Sequence, residues 1–236
     1  MVKYSIITVC LNSEETIERC IRSVQCQKGQ NIEHIVIDGL SSDKTLDIVK
    51  KYEDVTYLSE KDNGIYDAMN KGVNLSKGDY VLFLNSDDEL KCNYFEECDR
   101  VLENSDFDFL GVGVKMISNQ NVREWIPENL SLLKHLWRMP IPHPGFLVKR
   151  NLFLKLGGFD TQFRIAADYD FVLRLFRLTN KGAVLKKSLV NFYLGGVSNS
   201  SKILAENHNV RIKNYNSQVF IYLAYALDYL RWIKNK

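Results

Sequence analysis

The chain has 236 residues, enough for one large domain or two small ones. Its 45% hydrophobic and 25% charged content is that of an ordinary globular protein and excludes the disordered and fibrous classes. The net charge of +2 hides an asymmetry: residues 1–125 hold 14 Lys+Arg against 23 Asp+Glu, a balance of −9, and residues 126–236 hold 17 against 6, a balance of +11. The second half is therefore expected to face something anionic, with an anionic membrane surface rather than nucleic acid as the partner. The N-terminus runs straight into a strand-like segment, so no signal peptide is expected. No stretch approaches the roughly 20 apolar residues of a spanning helix. Cys10, Cys20, Cys26, Cys92 and Cys98 show no CxxC spacing and are odd in number, which predicts reduced thiols and a cytoplasmic protein.

Taken in order, Tyr4 to Val9 reads as a strand, and Asn12 with Glu15 as a capping box for a helix carrying Ile17, Cys20, Ile21 and Val24. His34 to Asp38 is a second strand, after which Ser42 or Asp43 can cap a helix carrying Leu46 and Val49. Val55 to Leu58 is a short third strand. Asp62-Asn-Gly64 is a turn, Ile65 to Val73 a helix, and Tyr80 to Leu84 a fourth strand. Strand–helix alternation at this spacing predicts βαβ units and a parallel sheet.

The polar residues fall at recurring positions. Thr8, Asn12, Asp38, Asp62 and the pair Asp87-Asp88 all lie at or just past the C-terminal end of a predicted strand. In an open α/β sheet those ends share one edge, and ligands bind in the crevice outside it. Each residue also has a plain reading, as a cap, a turn or a loop. Two adjacent carboxylates after a buried strand repel unless a cation sits between them and a ligand, and their oxygens suit Mg²⁺ or Mn²⁺. The dinucleotide fingerprint is absent after the first strand, Gly111-Val-Gly113 is only a partial match, and there is no GxxxxGK[ST] loop. Phosphate charge is then expected to be met by a metal.

The stretches Ser5–Asn12, Ile35–Thr45, Ser59–Gly72 and Gly78–Asp88 occur in order and with the right gaps. Together they resemble the family 2 glycosyltransferases of the GT-A fold, particularly those that build bacterial surface polysaccharides. The resemblance is strong over about residues 3–90 and looser over 140–180. It implies a Rossmann-like, mostly parallel α/β sheet flanked by helices. It also implies one domain over 1–215, with a nucleotide-binding half (1–115), an acceptor-binding half (116–215) and a C-terminal amphipathic helix over 216–236. Thr8, Asn12, Asp38 and Asp62 would line the nucleotide pocket, with Asp38 accepting a hydrogen bond from the base. Asp88, and second to it Asp87, would hold a divalent cation on the diphosphate, Asp87 also reaching toward the ribose. Asn85 stands where the family commonly has another acid, and Leu11 where it often has an aromatic.

In the second half, Phe109 to Val114 reads as a buried strand, residues 117–130 as polar and irregular, and 132–137 as a short amphipathic piece. Pro140-Ile-Pro-His-Pro-Gly145 is a stiff loop that cannot be helical. His143 is a turn residue on one reading and, by the resemblance, a contact to the acceptor or a phosphate. Asp168 precedes Phe171, Val172, Leu175 and Phe176 at helical spacing, so it is an N-cap on one reading. By the resemblance it is the catalytic base of a Glu-Asp-x-Asp element in which Ala167 replaces the Glu.

The implied reaction is inverting transfer from a nucleotide-sugar donor, a UDP-sugar first among them, to a lipid-linked saccharide in polysaccharide assembly. The enzyme is expected on the inner face of the cytoplasmic membrane. Residues 219–233 form an aromatic-rich segment that packs on the sheet or lies at a membrane interface. The rival readings are a sugar-phosphate nucleotidyltransferase, which calls for a Gly-rich loop after the first strand where Cys10-Leu-Asn-Ser-Glu14 stands, and a membrane-associated scaffold with a decayed site.

Overall fold

A computed structural model describes residues 3–27, 31–103, 105–118, 121–127, 139–195 and 202–234. The predicted amphipathic piece at 132–137 lies outside the described residues. The strands β1 (Tyr4–Cys10), β2 (Ile32–Asp38), β3 (Val55–Ser59) and β4 (Tyr80–Asn85) run parallel in the order β3-β2-β1-β4. The helices α1 (Ile17–Gln25), α2 (Thr45–Val49) and α3 (Ile65–Leu75) connect them as crossovers. These strands are apolar on both faces, as a sheet covered on both sides requires. Ile7 and Phe83 point to the side that packs α3. Ile6, Leu82 and Leu84 point to the other, where α1 and α4 (Tyr94–Leu102) sit.

Past β4 the sheet becomes mixed. The short strand β5 (Glu89–Leu90) follows Asp88 and pairs with the far strand β9 (Gly182–Tyr193). Strand β8 (Phe146–Lys149) is antiparallel to both β4 and β6 (Phe109–Ile117), and β6 runs parallel to β9. The polar region after residue 117 is not wholly irregular: β7 (Val122–Trp125) pairs antiparallel with β6. The result is one nine-stranded sheet spanning both charge halves. Helices α5 (Arg150–Lys155) and α6 (Ala167–Leu178) cover the α3 side, and α7 (Lys202–Asn214) and α8 (Gln218–Lys234) follow.

Three local expectations change. Asn12 is not the start of α1, which begins at Ile17; Asn12 sits at φ 51°, and its Oδ1 accepts from the backbone N–H of Ser42 at 2.8 Å. The cysteines are not all reduced. Cys26, at the end of α1, and Cys92, before α4, form a disulfide with Cα atoms 5.2 Å apart, while Cys10, Cys20 and Cys98 are free and buried. A sequence separation of 66 gave no spacing signal. The C-terminal helix packs on α7 rather than on the sheet: Ile221 and Ala224 are buried, and Asp228 pairs with buried Arg211 of α7 at 2.7 Å.

The helix carrying Asp168 is held by its buried neighbour. Asp170 is fully buried and pairs with Arg174 at 2.8 Å and Lys213 at 3.0 Å, and it accepts from Asn214 Nδ2 at 2.8 Å. Arg174 in turn donates to the carbonyls of Leu156 and Gly158. Removing one partner of such a buried network is costly, because the other charges stay buried without it. Asp170→Ala is expected to lower unfolding free energy in denaturant titration by about 3–5 kcal/mol. Asp168→Asn should stay within about 1 kcal/mol of the parent, since Asn keeps the oxygen that accepts at that site. Equal effects of the two changes would refute this division of roles.

Candidate active site

The parallel register builds the site. Cys10 is level with Asp38, Asp38 with Ser59, and Val9 with Asn85, so the loops after β1, β2, β3 and β4 leave the sheet at one edge. A hydrogen bond between Ser13 Oγ and Ser86 Oγ at 2.9 Å ties the first loop to the fourth. Asn12 bonds to Ser42, and Ser41 Oγ accepts from the Asn12 N–H, which ties the first loop to the second.

Asp38 lies under this surface. It is fully buried, and its carboxylate accepts from Ser59 Oγ at 2.6 Å, from the Ser41 N–H at 3.2 Å and from Ser41 Oγ. Its oxygens are thus engaged in shaping the loop rather than offered to a base, contrary to the sequence expectation. The next residue shows what fills the neighbouring space. A side chain at Gly39 would meet Asp62 Oδ2 at 2.6 Å and Leu11 Cδ1 at 3.6 Å. The Asp62 carboxylate therefore stands in the space that a residue-39 side chain would fill, above a floor left open by glycine. Asp62 is itself aimed by the Gly64 N–H, which donates to its Oδ1 at 2.8 Å. Leu11 and Leu40, at 59% and 55% exposure, supply apolar surface beside it.

Thr8 is also misplaced by the sequence reading. It sits two residues inside the end of β1, fully buried, with its Oγ1 2.9 Å from His34 Nε2 and 3.7 Å from Cys20 Sγ. A pleated strand turns alternate side chains to opposite faces, and this one faces α1 rather than the cleft.

Asp87 and Asp88 follow β4 as expected, yet they differ in environment. Asp87 is half-buried, and burial raises its pKa. Asp88 is fully buried: its Oδ1 accepts from the Tyr193 N–H at 3.0 Å and its Oδ2 from Asn85 Nδ2 at 3.2 Å. Burial first, and the neighbouring Asp87 charge second, push its pKa up to about 8. Asn85 Oδ1 is buried with no hydrogen-bond partner among the described residues. Two carboxylates and an orphaned amide oxygen form an all-oxygen donor set, which fits a hard divalent cation that takes one or two carboxylates and completes its shell with phosphate oxygens and water. A cation there would also offset the burial and the Asp87 charge that raise the Asp88 pKa. Arg19 braces the element: it pairs with Glu89 at 2.5 Å, donates to the Asp87 carbonyl at 2.8 Å and lies 4.1 Å from the Tyr193 ring centroid.

The second cluster gathers around Tyr66. Its hydroxyl lies 3.1 Å from Asp168 Oδ1 and 2.8 Å from the Ile165 carbonyl, linking the Asp62 loop to the start of α6. Arg164 Nη1 donates to the Asn63 carbonyl at 2.5 Å across the same junction. Asp168 is the second residue of α6, not its N-cap, which is Ala166. Among the described residues its Oδ2 makes no hydrogen bond. The missing cap is supplied from α7: the Glu206 carboxylate accepts from the backbone N–H groups of Arg164, Ile165 and Ala166 at 3.1, 2.7 and 3.0 Å. No sequence rule reaches across 40 residues to find such a cap. His143 stacks on Phe83 with ring centroids 5.5 Å apart, near Tyr66 and Phe159. Burial lowers its pKa despite the opposing effect of Asp168, and its Nε2 is buried with no partner among the described residues. Asp62, His143 and Asp168 are thus joined through Tyr66, while Asp87 and Asp88 join the same edge through Ser86.

The Thr8–His34 pair carries a pH signature. Burial lowers the His34 pKa from an ordinary 6.5 to about 4. A histidine that is neutral when folded stabilises fully above pH 6.5, and this stability is lost as pH falls toward 4 and the unfolded chain takes up the proton. The expected loss is roughly 3 kcal/mol. Denaturant titrations from pH 7 to pH 4 should therefore show a steeper fall for the parent than for His34→Gln, and parallel profiles would rule this assignment out.

Comparisons with known proteins bear on the family and the fold. A family model described as Glycosyl transferase family 2 matches residues 5–176. A PGL/p-HBAD biosynthesis glycosyltransferase of Mycobacterium bovis is 30% identical over 207 residues, covering 84% of this chain and 79% of that protein. An uncharacterized glycosyltransferase of Mycobacterium tuberculosis is 34% identical over 183 residues, covering 72% and 67%. Among solved structures, S. aureus TarS 1-349 in complex with UDP-GlcNAc superimposes with a TM-score of 0.77 at 19% identity, covering 95% of this chain and 71% of that one. The mannosyltransferase PcManGT from Pyrobaculum calidifontis, in complex with GDP-Man and Mn²⁺, gives 0.70 at 16% identity, covering 96% and 68%. The fold is that of the GT-A glycosyltransferases, and with its family-model match and its relatives the chain belongs to the family 2 glycosyltransferases.

Proposed function

We propose that this glycosyltransferase moves a sugar, with inversion, from a UDP-sugar or another nucleotide-sugar donor to a lipid-linked saccharide acceptor in polysaccharide assembly. The observation that carries the reading is the pairing of two clusters at one sheet edge: an all-oxygen acidic element after β4, and a braced carboxylate, Asp168, with one oxygen unoccupied among the described residues. Residues 1–115 serve the donor and 116–215 the acceptor, with 216–236 as a C-terminal helix. Base recognition is assigned to Asp62 over the open floor at Gly39, with Leu11 and Leu40 against the ring. Asp87 and Asp88, with Asn85 Oδ1, would hold Mn²⁺ or Mg²⁺. When bound, the cation supplies Lewis-acid stabilisation of the charge on the departing diphosphate. His143, neutral and facing Asp168, contacts the acceptor.

Asp168 takes the proton from the acceptor hydroxyl as its oxygen forms the new bond to the anomeric carbon. The bond from that carbon to the diphosphate oxygen breaks on the opposite side, so the centre inverts. Tyr66 and the Glu206 clamp keep the carboxylate aimed, and the oxygen that takes no bond from Tyr66 or Tyr169 receives the proton. The nucleotidyltransferase and decayed-scaffold readings are less consistent with two intact acidic clusters. Seating on the cytoplasmic face of the membrane suits a lipid-linked acceptor, and among the described residues no helix is long and apolar enough to cross a membrane.

Asp168→Asn should lower turnover by roughly 10²–10⁴ while donor affinity by calorimetry stays unchanged; undiminished turnover would end the mechanism. Chelation should stop transfer, and added Mn²⁺ should restore it in the parent but not in Asp88→Asn. That variant is expected to fold, because an Asn at 88 can present its oxygen to the Tyr193 N–H and, once the Asn85 amide turns over, its NH2 to Asn85 Oδ1. Full activity in chelator, measured over a panel of sugar nucleotides, would remove the cation from the scheme.

A further inference from the structure

The C-terminal helix α8 is held to the body by one narrow face. Ile221 and Ala224 are fully buried against α7, and Asp228 is anchored by Arg211. With about 100° between successive residues, 221, 224 and 228 lie on one side of the helix, and 219, 223, 226, 230 and 233 form a stripe on the opposite side. That stripe is apolar along its whole length of about 21 Å and carries no charge. Val219 is 73% exposed, Leu223 55% and Leu230 62%, and Tyr222 and Tyr229 flank them, also exposed. Single exposed apolar side chains are ordinary, whereas a continuous row of this size marks a contact surface.

We infer that this face docks on an anionic lipid bilayer, with α8 lying in the plane of the headgroups and its stripe at the acyl boundary. Among the described residues no helix, α8 included, is long and apolar enough to cross a membrane. Tyrosines at the margins of the stripe place a wet end and an apolar ring where a bilayer offers both. Charge decides between lipid and a second copy of the chain. Residues 126–236 carry +11; α8 itself has Arg231 and Lys234, and Lys236 follows in the sequence. Two such halves face to face would repel, whereas an anionic surface attracts them. The orientation has a structural consequence, because α7, which α8 packs on, also supplies Glu206 to the start of α6. The surface that meets the bilayer is therefore one helix removed from Asp168, as an acceptor anchored in lipid requires. Only that last point rests on the proposed function.

The test reads lipid binding without turnover, so its outcome is separate from the donor chemistry. The full chain is sedimented with phosphatidylcholine vesicles and with vesicles that also contain phosphatidylglycerol, at low and high salt. Binding should favour the anionic vesicles and fall at least about tenfold at high salt. Leu223→Ser combined with Leu230→Ser should weaken it by about tenfold or more at unchanged circular dichroism, since both leucines are exposed in the free protein. Arg231→Gln, a second variant outside the stripe, should weaken binding to anionic vesicles alone. Equal binding to both vesicle types, no binding, or wild-type binding by the double variant would overturn the inference. So would a concentration-dependent dimer that the double variant abolishes, which would assign the face to a second copy.

Discussion

The site depends on the parallel register of β1, β2, β3 and β4. It brings Cys10, Asp38, Ser59 and Asn85 to one edge, and four loops from distant parts of the chain leave together. Burial of the strands on both faces fixes this register, because a slip of one residue would exchange the side chains fitted against α3 with those fitted against α1 and α4. The carboxylate of Asp38 is the rivet beneath the edge. It spans from β2 to Ser59 of β3 and to Ser41 of its own loop, so the shape of this part of the cleft is set by a residue that does not reach its surface. The surface itself is left to Gly39 and Asp62.

The acidic element after β4 shows how one fold makes two neighbouring carboxylates unequal. Asp87 keeps some contact with solvent, while Asp88 is roofed by the end of β9, whose Tyr193 N–H bonds to it. Strand β9 enters the sequence about a hundred residues later and reaches this place only because it runs parallel to β6 and pairs with β5. The C-terminal half of the chain thus takes part in holding the acidic element, and the charge asymmetry between the halves does not correspond to a division in the sheet.

A similar dependence on distant segments runs through Asp168. The N-cap of its helix is Ala166, which has no side chain able to cap, and α7 answers with a carboxylate on three backbone N–H groups. Asp170, two residues on, belongs to a buried ion network and serves stability. The two acids differ because the helix turns one toward the cleft and Tyr66 and the other into the core.

By itself the sequence determined the alternation of strand and helix through β4, since apolar period and turn residues are local signals. It also determined the family, through motifs whose order and spacing survive in one dimension, and the positions of Asp62, Asp87 and Asp168 at element ends. It did not carry β5, β7, β9, α4 or α7: β5 is two residues long, and β9 is interrupted by the register shift opposite Gly113. Tertiary structure alone decided that Thr8 and Asp38 are buried, that Asp88 is roofed, that Cys26 meets Cys92, and that Glu206 caps a helix 40 residues away. The physical reason is the same in each case. Solvent exposure, hydrogen-bond partners and pKa depend on what packs against a side chain from other elements, and a strand's period says which face a residue takes without saying what covers that face.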